Sequence, residues 1–143
     1  MKKYLFILIT LFVAGYLASK VQSSWGKVRV QSIKIPTQNG QWLVADLFKP
    51  VSANASNPSP LVIVVPGFQR SKETLSNISI ELSRRGIVTI AIDPYAQGLS
   101  SSSLSKRAAT KEGYGMFALV DYVYDTSILN YVDKDKIGVT GHS

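Results

Sequence analysis

Apolar residues along this chain follow three patterns, and each predicts a different kind of element. Residues 4–18 are apolar on every side of a helix, interrupted only by Thr10 and Gly15. A second pattern is alternation. It runs partly through residues 28–35 and clearly through 41–48, where Leu43, Ala45 and Leu47 share one face and Trp42, Val44 and Asp46 the other. Asn39-Gly40 lies between these runs and suits a turn with positive φ, so the two predict an antiparallel hairpin. The third pattern is continuous: Leu61-Val62-Ile63-Val64-Val65 and residues 87–92 read as strands buried on both faces.

Helical spacing fills the gaps between those strands. Leu75, Ile78 and Leu82 predict the apolar stripe of a helix from Ser71 to Arg85. Ser71 is placed to cap its start, Arg84-Arg85 suit the negative end of its dipole, and Gly86 suits its C-cap. Met116, Leu119, Val120 and Val123 recur at i, i+3, i+4 and i+7, predicting a second helix. Residues 136–140 form the last predicted strand. Segments 50–60 and 93–111 read as loops, and the Ser100–Ser103 run in the second reads as a flexible loop rather than a binding element. No internal repeat is present.

The order is hairpin, strand, helix, strand, helix, strand. Such alternation predicts an α/β fold in which parallel strands follow an antiparallel hairpin, with helices on both faces. At 143 residues there is one domain at most. A hydrophobic fraction of 45% and a charged fraction of 17% fit a globular chain.

Charge narrows the function classes. The formal net charge is +7, but Lys2, Lys3 and Lys20 belong to the N-terminal segment. The other basic residues are scattered, apart from Arg84-Arg85, without aromatic interleaving, which argues against nucleic acid as a partner. Cysteine is absent, so disulfides and thiolate metal sites are excluded. No metal or cofactor is expected.

Met1-Lys2-Lys3 followed by the apolar run has the layout of a secretory signal. Val21-Gln22-Ser23 offers a weak cleavage site. An uncleaved anchor tethered to the membrane through residues 4–19 is the alternative. Residues 1–23 are therefore expected to be a signal peptide or anchor and residues 27–143 an exported domain, secreted, periplasmic or held at the outer face of the membrane.

Reactive groups in a parallel sheet gather at the carboxyl ends of its strands. Three segments fall there: Pro66-Gly67-Phe68, Asp93, and Gly141-His142-Ser143. Gly-x-Ser after a strand is the first half of the nucleophile elbow, Gly-x-Ser-x-Gly. Asp93 reads as a carboxylate that organises its loop rather than as a catalytic group. Asn54 and Asn77 match glycosylation acceptors, though Asn77 falls inside a predicted helix.

From Lys27 to Ser143 the chain resembles the α/β-hydrolase superfamily. The resemblance is carried by Leu61-Val62-Ile63-Val64-Val65-Pro66-Gly67-Phe68, by Ile90-Ala91-Ile92-Asp93-Pro94-Tyr95-Ala96-Gln97-Gly98-Leu99-Ser100, and by Tyr131-Val132-Asp133-Lys134-Asp135-Lys136-Ile137-Gly138-Val139-Thr140-Gly141-His142-Ser143. Within the superfamily it looks most like dienelactone-hydrolase-like and bacterial cutinase-like esterases. The resemblance implies that Ser143 is the nucleophile and that Phe68, after the Gly67 turn, lends a backbone N–H to the oxyanion hole. It also implies that Gln69 flanks the acyl site and that the substrate is a small ester or acyl compound. Two positions depart from the pattern. Pro66-Gly67 stands where many members have His-Gly, and only Gly98 remains of the glycine pair that usually follows the aspartate.

In that superfamily the triad acid and histidine follow the serine in the chain. The single histidine, His142, is the serine's neighbour on a tight turn and is badly placed to be its base. The expectation is the N-terminal part of an exported serine hydrolase, an incomplete fold that is inactive and poorly folded as 143 residues alone. Its last strand is expected to form an unpaired edge. A peptidase or acyltransferase on the same frame, or a non-catalytic exported or membrane-tethered module, are the alternatives.

Overall fold

The computed structural model describes residues 2–37, 40–102 and 110–142. Ser143, Asn39 and Ser103 lie outside them. The elements are α1 (Lys2–Gln22), β1 (Val28–Pro36), β2 (Trp42–Pro50), β3 (Ser59–Val65), α2 (Ser76–Arg84), β4 (Val88–Asp93), α3 (Met116–Asp125) and β5 (Val132–Gly141).

The five strands form one sheet in the order β1-β2-β4-β3-β5. β2 is antiparallel to both of its neighbours, β1 and β4, whereas β3 runs parallel to both β4 and β5. The hairpin and the parallel strands thus appear in the expected order. β4 lies at the centre and is buried at all six positions.

Each face of the sheet carries a helix, because successive strand residues point to opposite sides. Leu61, Ile63, Ile90 and Ile92 pack with Leu119 and Val123 of α3. Val64, Ala91 and Phe48 pack on the other face, where Leu75, Ile80 and Leu82 meet them. Full burial of a side chain such as Leu119 stabilises by about 1.5–3 kcal/mol.

The helix predicted to begin after Ser71 starts differently. A 3₁₀ turn (Lys72–Leu75) comes first, the α-helix begins at Ser76, and the Ser71 side chain caps neither. The altered start changes the buried face, so Ile78 of the expected stripe is exposed while Ser79 and Ser83 are buried. Ser83 Oγ donates to the Phe48 carbonyl at 3.1 Å, which ties the helix to β2. Gly86 (φ +86) ends the helix as expected, with Gly86 and Ile87 N–H bonded to the Ser83 and Leu82 carbonyls.

The last strand begins at Val132, four residues earlier than its apolar run suggests. A register irregularity lies between its Val132 and Ile137 pairings with β3. Among the described residues β5 pairs on one side only, as expected of the edge, and Val139 is half exposed.

Ser100 and Ser101 do not form a free loop. Ser101 Oγ accepts the Trp42 N–H and donates to the Trp42 carbonyl, and Ser100 Oγ accepts the Val44 N–H at 2.8 Å. β2 extends past the end of β4, and these hydroxyls satisfy its exposed backbone there.

Candidate active site

β3, β4 and β5 present their carboxyl ends side by side. Gly141 pairs with Val65, and the His142 N–H donates to the Val65 carbonyl at 3.2 Å. A Cβ on Gly141 would lie 2.6 Å from that carbonyl oxygen, so only glycine lets the strand ends approach this closely. Sterics therefore require the glycine of the Gly-His-Ser segment.

Beyond Val65, Gly67 is buried and Phe68 is 78% exposed. The Arg70 N–H closes a turn onto the Gly67 carbonyl at 3.1 Å, and Gln69 takes a left-handed conformation (φ 58) within it. Among the described residues the Phe68 N–H has no acceptor. Gln97 Oε1 accepts the Arg70 N–H, which joins this turn to the loop after β4.

A cleft of about 490 Å³ opens at these strand ends, with Pro66, Gly67, Phe68, Tyr114, Met116 and His142 in its wall. Gln69 lies on the adjoining turn and is not part of that wall. Tyr114 enters from the segment Gly113-Tyr114-Gly115, in which all three residues have positive φ. The Tyr95 N–H holds the Tyr114 carbonyl at 3.0 Å, and a Cβ on Gly115 would strike Leu43 at 2.6 Å. Backbone geometry, rather than packing of its ring, places Tyr114 at the cleft.

Asp93 organises its loop as expected. Its Oδ1 accepts the Lys72 N–H at 2.8 Å and its Oδ2 accepts the Leu99 N–H at 3.0 Å. Gly98 (φ +53) passes so close that a Cβ there would lie 2.2 Å from the carboxylate.

The Lys72 ammonium is buried and faces Asp46 (3.8 Å), Asp93 (3.7 Å) and Glu73, with which it shares a short hydrogen bond. Burial acts to lower its pKa, but the bond to Glu73 and the charges of Asp46 and Asp93 outweigh it and raise it. The same bond holds the Glu73 carboxyl down at about 2. Burial raises Asp46 despite the nearby ammonium. Lys72 thus stands where a cation would sit among three carboxylates. Among the described residues no metal-ligating cluster forms.

No protein-family model matches the chain, and no curated protein does. Solved structures do. Est1E from Butyrivibrio proteoclasticus, solved with ferulic acid bound, is 26% identical, with a TM-score of 0.64 over 78% of this chain and 42% of its own. DcsB, solved with a substrate analogue, is 22% identical, with a TM-score of 0.64 over 80% of this chain and 38% of its own. The Pyrococcus furiosus esterase Pf2001 is 20% identical, with a TM-score of 0.64 over 86% of this chain and 42% of its own.

The fold is that of an α/β hydrolase, in part. The chain spans about two fifths of the length of the solved structures it matches.

Within this α/β-hydrolase frame, two site residues escaped the sequence reading. Lys72 carried no signal, because a lysine at a helix start normally points to water. Tyr114 carried a faint one: a tyrosine between two glycines is free to take the conformation that turns it toward the cleft.

Proposed function

We propose that the chain is the N-terminal part of an exported serine hydrolase acting on carboxylic esters, with Ser143 as nucleophile. The observation that supports this most is the meeting of two strand ends at one apolar cleft. The unbonded Phe68 N–H stands on one side and the Gly141-His142 backbone, held to Val65, on the other. In this reading Ser143 Oγ attacks the ester carbonyl while a base takes its proton. The carbonyl oxygen becomes an oxyanion, and the Phe68 N–H donates to it. Loss of one such donor typically lowers the rate by about 10²–10³. The base and its acid partner come from beyond these 143 residues, since the sole histidine is committed to the elbow.

An ester is favoured over a peptide because esterases are among the structural neighbours. Phe68 and Tyr114 put two aromatic rings at the cleft, which suits an aryl acyl group like the ferulic acid bound to Est1E. The apolar 21-residue α1 is compatible with export.

Labelling with a fluorophosphonate probe tests the proposal. The 143-residue chain is expected to stay unlabelled, and the product of the longer reading frame to label at Ser143 and lose that label in Ser143→Ala. A longer product that is folded yet unlabelled, or a reading frame that stops after codon 143, would overturn it.

A further inference from the structure

α1 joins the sheet without a flexible linker. The Trp25 N–H donates to the Lys20 carbonyl at 2.7 Å and the Val28 N–H to the Ser23 carbonyl at 3.1 Å. Ser24 is buried, and Arg84 at the end of α2 reaches it, with Nε donating to Ser24 Oγ at 3.0 Å. The same guanidinium donates to the Val21 carbonyl at 3.4 Å, so a cation caps the carbonyl end of α1. Cleavage after Ser23 would sever the helix from these bonds.

α1 itself has no buried residue. Its 21 residues, at about 1.5 Å each, reach about 31 Å, close to the hydrocarbon thickness of a bilayer. Between Lys3 and Lys20 it carries no charge. Where it meets the sheet, Trp25 and Val51 are exposed side chains, at 66% and 53%. The Val51 N–H donates to the Lys27 carbonyl at 2.9 Å, which keeps both beside the junction. Lys20, Lys27 and Arg29 lie within five residues of Trp25 in the chain, and residues 20–30 contain no acidic side chain. An apolar pair that includes tryptophan, beside a stretch of chain whose only charges are basic, matches the interface of an anionic bilayer.

We infer that α1 stays attached as a membrane anchor, and that Trp25 and Val51, with Lys20, Lys27 and Arg29, form a foot seated on an anionic phospholipid surface. β1 begins and β2 ends at this foot, next to the amino end of β4, as the Val28–Pro50 and Phe48–Thr89 pairings show. The cleft lies at the carboxyl ends, so it opens away from the bilayer and takes its substrate from water. This inference stands apart from the hydrolase reading and does not depend on activity.

These 143 residues contain no cysteine, so the test is direct once any cysteine beyond them is replaced by serine. The full gene product is purified from membranes, and its intact mass is measured. Retention of residues 2–23 is expected, and an N-terminus at Ser24 would overturn the anchor. Trp25→Cys, Val51→Cys and, at the cleft end, Leu99→Cys variants are then placed in lipid nanodiscs and treated with an impermeant maleimide. In phosphatidylglycerol-containing discs, Trp25→Cys and Val51→Cys are expected to react about tenfold more slowly than in phosphatidylcholine discs, as when about one molecule in ten is accessible. Leu99→Cys reacts alike in both. Equal rates at positions 25 and 51 in the two lipids would overturn the foot. In Arg84→Ala the Val51→Cys protection is expected to weaken while the protein remains in the disc.

Discussion

Lys72 is joined to Asp93 twice, through its backbone N–H to Oδ1 at 2.8 Å and through its ammonium 3.7 Å from Oδ2. The pair locks the turn before α2 to the end of β4, and so holds the Gly67–Arg70 turn against the loop after β4. Lys72→Met would leave the buried Asp93 carboxylate with no countercharge. A loss of about 3–5 kcal/mol is expected, from urea unfolding of the folded protein, because one partner of a buried pair is left alone. A loss below about 1 kcal/mol, the range of an exposed pair, would show that this lysine does not lock the turn.

The same cluster predicts an acid limb. The Glu73 carboxyl drops from 4.5 to about 2, chiefly through its bond to Lys72. A depressed carboxyl stabilises the fold above its unfolded pKa, and that contribution fades as pH falls from about 4.5 toward 2. Glu73 is largely exposed, so screening keeps the effect small. Glu73→Gln should flatten stability against pH in that window. Asp46 is raised and acts oppositely, so an unchanged acid limb in the variant would assign the limb to other groups.

Gly98→Ala should be among the most damaging single-methyl changes. The added Cβ would meet the Asp93 carboxylate at 2.2 Å, and the backbone there is left-handed. Overpacking and the left-handed conformation together cost about 2–5 kcal/mol. Thermal unfolding should show the loss, whereas Gly40→Ala, whose Cβ meets nothing within 4 Å, should show only the smaller conformational part.

Gly141→Ala probes the cleft. Its Cβ would press on the Val65 carbonyl and push the end of β5 outward. If Ser143 is the nucleophile, a displacement on the order of 1 Å should slow probe labelling of the full-length protein by about 10²-fold. An unchanged labelling rate would mean that the strand ends do not position the serine.

Much of the fold was legible because its signals are local. Alternation in β2, continuous apolar runs in β3 and β4, and a glycine after α2 each act within a few residues. The start of α2 was not legible, because Lys72 is drawn into a bond with Asp93, 21 residues away in sequence, and a 3₁₀ turn results. Ser100 and Ser101 look like a plain polar loop until β2 is seen to outrun β4 beside them.

The sequence by itself determined the α/β order, the turn glycines and the three segments that end their strands at one edge. Those follow from side-chain periodicity and backbone preference, which neighbours in the chain set. Tertiary structure alone decided that Lys72 sits among three carboxylates, that Tyr114 enters the cleft and that Arg84 caps α1. Each depends on groups brought together by the sheet from distant positions, where burial and electrostatics act through space rather than along the chain.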